Sequence, residues 1–115
     1  MPDVARYRQS LTDMRVARAV TPQQRLMLLR HFQADGHTVT ASELARLVRY
    51  PDWNTINLQY GLFAQALADR MHWPVPPDFP AAYTIAWFDQ PDGAEEHWRW
   101  DMHEELVAAM KQVTW

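Results

Sequence analysis

Val4, Tyr7, Leu11 and Met14 recur at spacings of three and four, and Ala17 and Val20 extend the stripe. The spacing predicts an amphipathic helix over about residues 3–19, with Arg6, Arg8, Arg15 and Arg18 off the apolar side. Thr21-Pro22-Gln23-Gln24 has the chemistry of a second helix start: a capping hydroxyl, proline at the first helical position, and a glutamine that reaches back. Leu26, Leu29 and Phe32 are its expected stripe, widened by Met27 and Leu28, and Asp35-Gly36 is its expected end. Thr40-Ala41-Ser42-Glu43 is another capping box, with Val39 and Leu44 at hydrophobic-staple spacing. Leu44, Leu47 and Val48 are its expected buried face, and the helix must be short because Tyr50 precedes Pro51. Asp52 then caps a longer helix over about 53–71, striped by Ile56, Tyr60, Phe63, Leu67 and Met71. Gly61 in its middle costs roughly 1 kcal/mol against alanine, which suggests close approach by a neighbouring helix.

The pattern then changes. Trp73–Pro80 holds four prolines in eight residues and reads as an extended connector. Ala82–Phe88 is β-branched and aromatic, Asp89–Gly93 is turn chemistry, and His97–Met102 alternates strictly. These predict a β-hairpin, with Trp98, Trp100 and Met102 on one face and Trp87 opposing them. Leu106, Val107, Met110 and Val113 mark a closing helix.

A short helix, a turn and a longer helix make a helix-turn-helix, and a hairpin behind it is a wing. The expected fold is α+β and mainly helical, a winged helix-turn-helix of four helices, a hairpin and a C-terminal helix. A single domain over 1–115 is expected. Within it, 1–73 is helical with the helix-turn-helix at about 40–72, 74–80 connects, 81–102 is the hairpin, and 103–115 the last helix.

Composition narrows the chemistry. The 115 residues include no cysteine, which excludes disulfides, thiolate metal sites and cysteine nucleophiles. Three glycines are too few for a phosphate-cradling loop. No pair among the five histidines has the i, i+4 spacing of a zinc helix, and no nucleophile elbow occurs. A non-enzymatic protein without metal or cofactor is therefore expected. No apolar run reaches the length of a membrane span, and residues 1–20 lack the apolar stretch of a signal peptide, so a cytoplasmic location is expected.

The net charge of −3 hides an asymmetry. Residues 1–50 hold eight arginines against four acids, a balance of +4; residues 51–115 hold three cations against ten acids, a balance of −7. Such a split marks a nucleic-acid-facing side or is simply solvated helix surface. Asn54, Thr55, Asn57, Gln59 and Gln65 lie on the polar side of the long helix, and Asn or Gln can pair an adenine edge bidentately. Asn54 and Thr55 serve equally well as caps. Arg46 and Arg49 are the nearest phosphate-binding candidates, and Trp53 completes that set. The hairpin loop, by contrast, carries Asp89, Asp92, Glu95 and Glu96, which phosphate repels. Trp53, Trp73 and Trp115 are hard to bury and, with Glu95 and Glu96, are candidates for a protein interface.

The stretch Val39–Trp73 resembles a small winged-helix module at the ends of some HNH-type restriction endonucleases and mobile-element proteins. Thr40, Ala41, Leu44, Ala45, Tyr50, Asn57, Leu58, Tyr60 and Gly61 carry the resemblance. The module's glycine before the tyrosine is Arg49 here, and no HNH motif occurs. The layout is also similar to the winged-helix half of alkylguanine alkyltransferases, whose chemistry needs a cysteine this chain lacks. The resemblance covers about half the chain and implies a fold more than a function. Two functions are expected: a module that binds double-stranded DNA, and a protein-interaction module such as a phage or mobile-element inhibitor or adaptor, with a homodimer among its partners.

Overall fold

The computed structural model describes residues 1–89 and 98–115. Helices α1 (Val4–Val16) and α2 (Pro22–Gln33) are followed by strand β1 (Thr38–Thr40), α3 (Ala41–Val48) and α4 (Trp53–Arg70). Strands β2 (Ala86–Asp89) and β3 (Arg99–Met102) and helix α5 (Glu104–Met110) complete the chain. The architecture is α+β, mostly helical, with a three-stranded antiparallel sheet in the order β1-β3-β2.

Local capping explains where the helices begin. Asp3 Oδ1 accepts from the Arg6 amide at 2.8 Å, and Asp52 Oδ1 from the Thr55 amide at 2.9 Å. Thr21 with Gln24, and Thr40 with Glu43, form the expected reciprocal capping boxes. α3 ends at Arg49, whose backbone is left-handed (φ 61°). Glycine reaches that region without steric cost, whereas arginine does not.

Tyr7, Leu11 and Met14 of α1 join Ile56, Tyr60, Phe63 and Leu67 of α4, and Leu106, Ala109 and Met110 of α5, in one core. The striping of α4 holds throughout.

Several sequence expectations are corrected. α1 stops at Val16, and Ala17 beyond it is exposed, while Val20 is partly buried against the core from outside the helix. The buried face of α2 is centred on the expected Met27 and Leu28 together with Gln24 and His31, whose imidazole finds hydrogen-bond partners on α4 and β3, and Leu26, Leu29 and Phe32 are half-buried at its edges. Leu47 points out of the core. Residues 81–84 form a 3-10 turn, so β2 begins only at Ala86. In the hairpin register Phe88, not Trp87, stands opposite Trp100, and Trp87 faces Asp101. Thr38–Thr40, expected only to lead into a cap, is a strand whose Val39 pairs with Trp100. Its Thr38 hydroxyl donates to Asp101 Oδ1 at 2.7 Å. Gly61 has no atom within 4 Å of where a Cβ would stand, so no helix approaches it.

Candidate functional site

Two neighbouring surfaces of α4 concentrate what the molecule offers a partner. The first follows from its outward positions. Leu58 and Leu62, one turn apart, are 61% and 54% exposed, and Leu47 on the adjoining α3 is 48% exposed. Beside them Arg46, Arg49, Asn54 and Asn57 are exposed, and their side chains hydrogen-bond to none of the described residues. The other three polar candidates on this helix are engaged internally: the Thr55 hydroxyl donates to Asp52 at 3.1 Å, Gln59 accepts from Gln24 at 3.5 Å, and Gln65 donates to Asp69 at 2.9 Å. Asn54 and Asn57, singled out in the sequence, are exposed here, and the exposed leucines were missed. The signal was present, since both fall between the buried positions of the α4 stripe.

The second surface is a cavity of about 730 Å³. Trp53, Asn57 and Gly61, each four residues apart, form its α4 wall, and Phe88, Trp98 and Trp100 the wall opposite. Trp53 is 41% and Trp98 50% exposed. Among the described residues, no lining side chain is charged.

The remaining candidates fall elsewhere. Trp73 is partly buried and packs on Tyr83, with ring centroids 6.1 Å apart. Trp115 is partly buried against Phe63, donates from Nε1 to the Arg25 carbonyl at 3.1 Å, and receives an Arg25 hydrogen bond at 2.8 Å. Both were expected at an interface, and both are partly buried against the chain's own core. Glu95 and Glu96 lie outside the described residues, as does Asp92.

The arginine excess also has an internal use. Arg6 donates to the Met71 carbonyl at 2.7 Å, at the electronegative end of α4. Arg8 donates to Gln112, Arg15 to the Thr114 carbonyl and Arg25 to Trp115. Guanidinium groups thus hold the C-terminal segment, which their multiple fixed donors suit better than an ammonium. The basic half of the sequence is therefore not a free basic face.

The buried histidines are structural. His31 bridges Tyr60 and Trp100, and burial pushes its pKa down to about 4. His103, also lowered by burial, lies against the Tyr83 carbonyl at 2.5 Å and between the Tyr83 and Trp87 rings. Burial raises the pKa of Tyr7 and of Tyr60, so both phenols stay protonated. Among the described residues, no three His, Asp or Glu side chains converge as a metal site, and no helix is long and apolar enough to cross a membrane. Set against protein-family models, curated proteins and solved structures, the chain matches none of them.

Proposed function

We propose that this chain is a winged-helix interaction module that acts by binding a partner protein through α3 and α4. The order helix, strand, helix, helix, hairpin, with β1 pairing onto β3, supports the winged-helix reading. The observation that carries the protein partner is the exposed pair Leu58 and Leu62 on the helix that would read DNA. Duplex grooves offer little to leucine, whereas apolar side chains are what the buried centre of a protein interface uses. The flanking Arg46 and Arg49 favour a partner whose apolar contact is rimmed by carboxylates. No enzymatic step is assigned.

A second reading, duplex DNA, is favoured by one observation: Arg46 and Arg49 at the end of α3 and Asn54 and Asn57 at the start of α4 are all exposed. Two experiments separate the readings. Tagged protein is incubated with nuclease-treated host extract, beside a Leu58→Glu/Leu62→Glu variant. Wild type should retain a protein that the variant releases. Fluorescence anisotropy on mixed-sequence duplex is then followed across salt. Micromolar affinity at about 50 mM salt that falls steeply as salt rises, weakens in Arg46→Gln/Arg49→Gln and survives the leucine changes would overturn the protein reading in favour of DNA. A strictly monomeric protein that retains nothing would also overturn it.

A further inference from the structure

We infer that the cavity between α4 and the hairpin is a binding site for an uncharged, planar, aromatic small molecule with one hydrogen-bonding edge. The inference is independent of the partner bound by the leucines. It starts from Gly61. A glycine inside a helix is unfavourable, and such positions are usually explained by a helix packed close by. Here nothing lies within 4 Å of the missing Cβ. What Gly61 does is leave the α4 wall of the cavity open, between Trp53 and Asn57 on one side and the hairpin aromatics on the other.

The wall chemistry sets the ligand class. Four aromatic rings, Trp53, Phe88, Trp98 and Trp100, favour stacking and edge contacts with another ring system. Trp53 and Trp98 keep large apolar areas in water that a ligand would cover. None of the described residues that line the cavity carries a charge, so they offer an ionised ligand no compensating partner. Among the described lining residues, Asn57 carries the one carboxamide, which offers a donor and an acceptor side by side next to the indole N–H donors of the tryptophans. About 730 Å³ falls within the range of pockets that enclose small molecules.

The test uses three probes on the whole chain: 2-quinolone, whose lactam N–H and C=O match a carboxamide; naphthalene, which lacks the polar edge; and quinoline-2-carboxylate, which is charged. Binding is read by tryptophan fluorescence and by chemical shifts of the indole N–H groups and the Asn57 side-chain amide. 2-Quinolone should bind with a Kd of about 1 mM or tighter. It should bind at least tenfold more tightly than the carboxylate. Gly61→Leu, whose folding is checked by its melting temperature, should abolish binding. Asn57→Leu should weaken 2-quinolone about tenfold and leave naphthalene unchanged. Trp98→Ala, at an exposed position, should weaken both and serves if Gly61→Leu fails to fold.

Four results overturn the inference. One is no binding of any probe at millimolar concentration. Another is binding that Gly61→Leu or Trp98→Ala leaves intact. A third is equal affinity for all three probes, which removes the ligand class. The last is a wild-type dimer that these substitutions convert to monomer, which would make a second copy of the chain the occupant.

Discussion

The imidazole of His31 donates from Nε2 to the main-chain carbonyl of Trp100 at 2.8 Å. A carbonyl only accepts, so the proton is on Nε2, and Nδ1 accepts from the Tyr60 hydroxyl at 2.7 Å. One neutral ring thereby joins α2, α4 and β3 inside the core. Protonating Nδ1 would take away the acceptor of the Tyr60 hydroxyl proton and bury a charge.

Stability should therefore fall with acid. The folded-state pKa of His31 is about 4, below the ordinary value near 6.5. Between those values the unfolded chain binds a proton that the folded chain does not. The contribution is complete above about pH 6.5 and is lost as pH falls towards 4, by on the order of 3 kcal/mol. His103, shifted in the same direction, adds to the slope. Urea unfolding from pH 7 to 4.5 should show the decline, and His31→Leu should make it shallower. An unchanged slope in that variant would remove His31 as its origin.

Arg49→Gly should stabilise the protein. A non-glycine residue in the left-handed region costs roughly 1–2 kcal/mol, and glycine's greater freedom in the unfolded chain offsets part of the relief. A net gain of about 0.5–1 kcal/mol is expected, seen as a melting temperature a few degrees higher. A lower melting temperature would mean that the Arg49 side chain contributes more than its backbone costs.

Gly61→Ala should also stabilise, by up to about 1 kcal/mol, because a methyl there meets no atom within 4 Å. Destabilisation on thermal melting would show that the space is occupied in solution.

Trp115→Ala should cost about 2 kcal/mol, less than the 3–5 kcal/mol of a fully buried tryptophan. It removes the ring from Phe63 and its hydrogen bond to Arg25. Chemical denaturation is the check. A variant of unchanged stability that loses partner binding would return Trp115 to the interface.

How much was legible in the sequence depended on distance along the chain. The starts of α2, α3 and α4 were readable because a cap and its acceptor lie within three residues, as in Thr40 with Glu43. Three-residue β1 was not, since its partner strand begins nearly sixty residues later and Thr-Val-Thr carries no periodicity of its own. Residues 81–84 misled for a related reason: β-branched and aromatic residues suit a strand only where a neighbour pairs with them. The candidate site was legible in pieces. Asn57, Gly61 and Trp53 each stood out, but Phe88, Trp98 and Trp100 close the wall from more than twenty residues away.

By itself, then, the sequence set the starts of the helices, the buried face of α4 and the absence of thiol chemistry, all of them fixed by residue identity or by interactions across one or two turns. The tertiary structure decided which face of α2 is buried, that the arginines of α1 and α2 hold C-terminal carbonyls, that Trp73 and Trp115 turn inward, and that Gly61 opens onto a cavity. Each of these depends on which distant groups meet when the chain closes. A guanidinium or an indole carries the same chemistry at a surface or against a carbonyl, and only packing chooses between them.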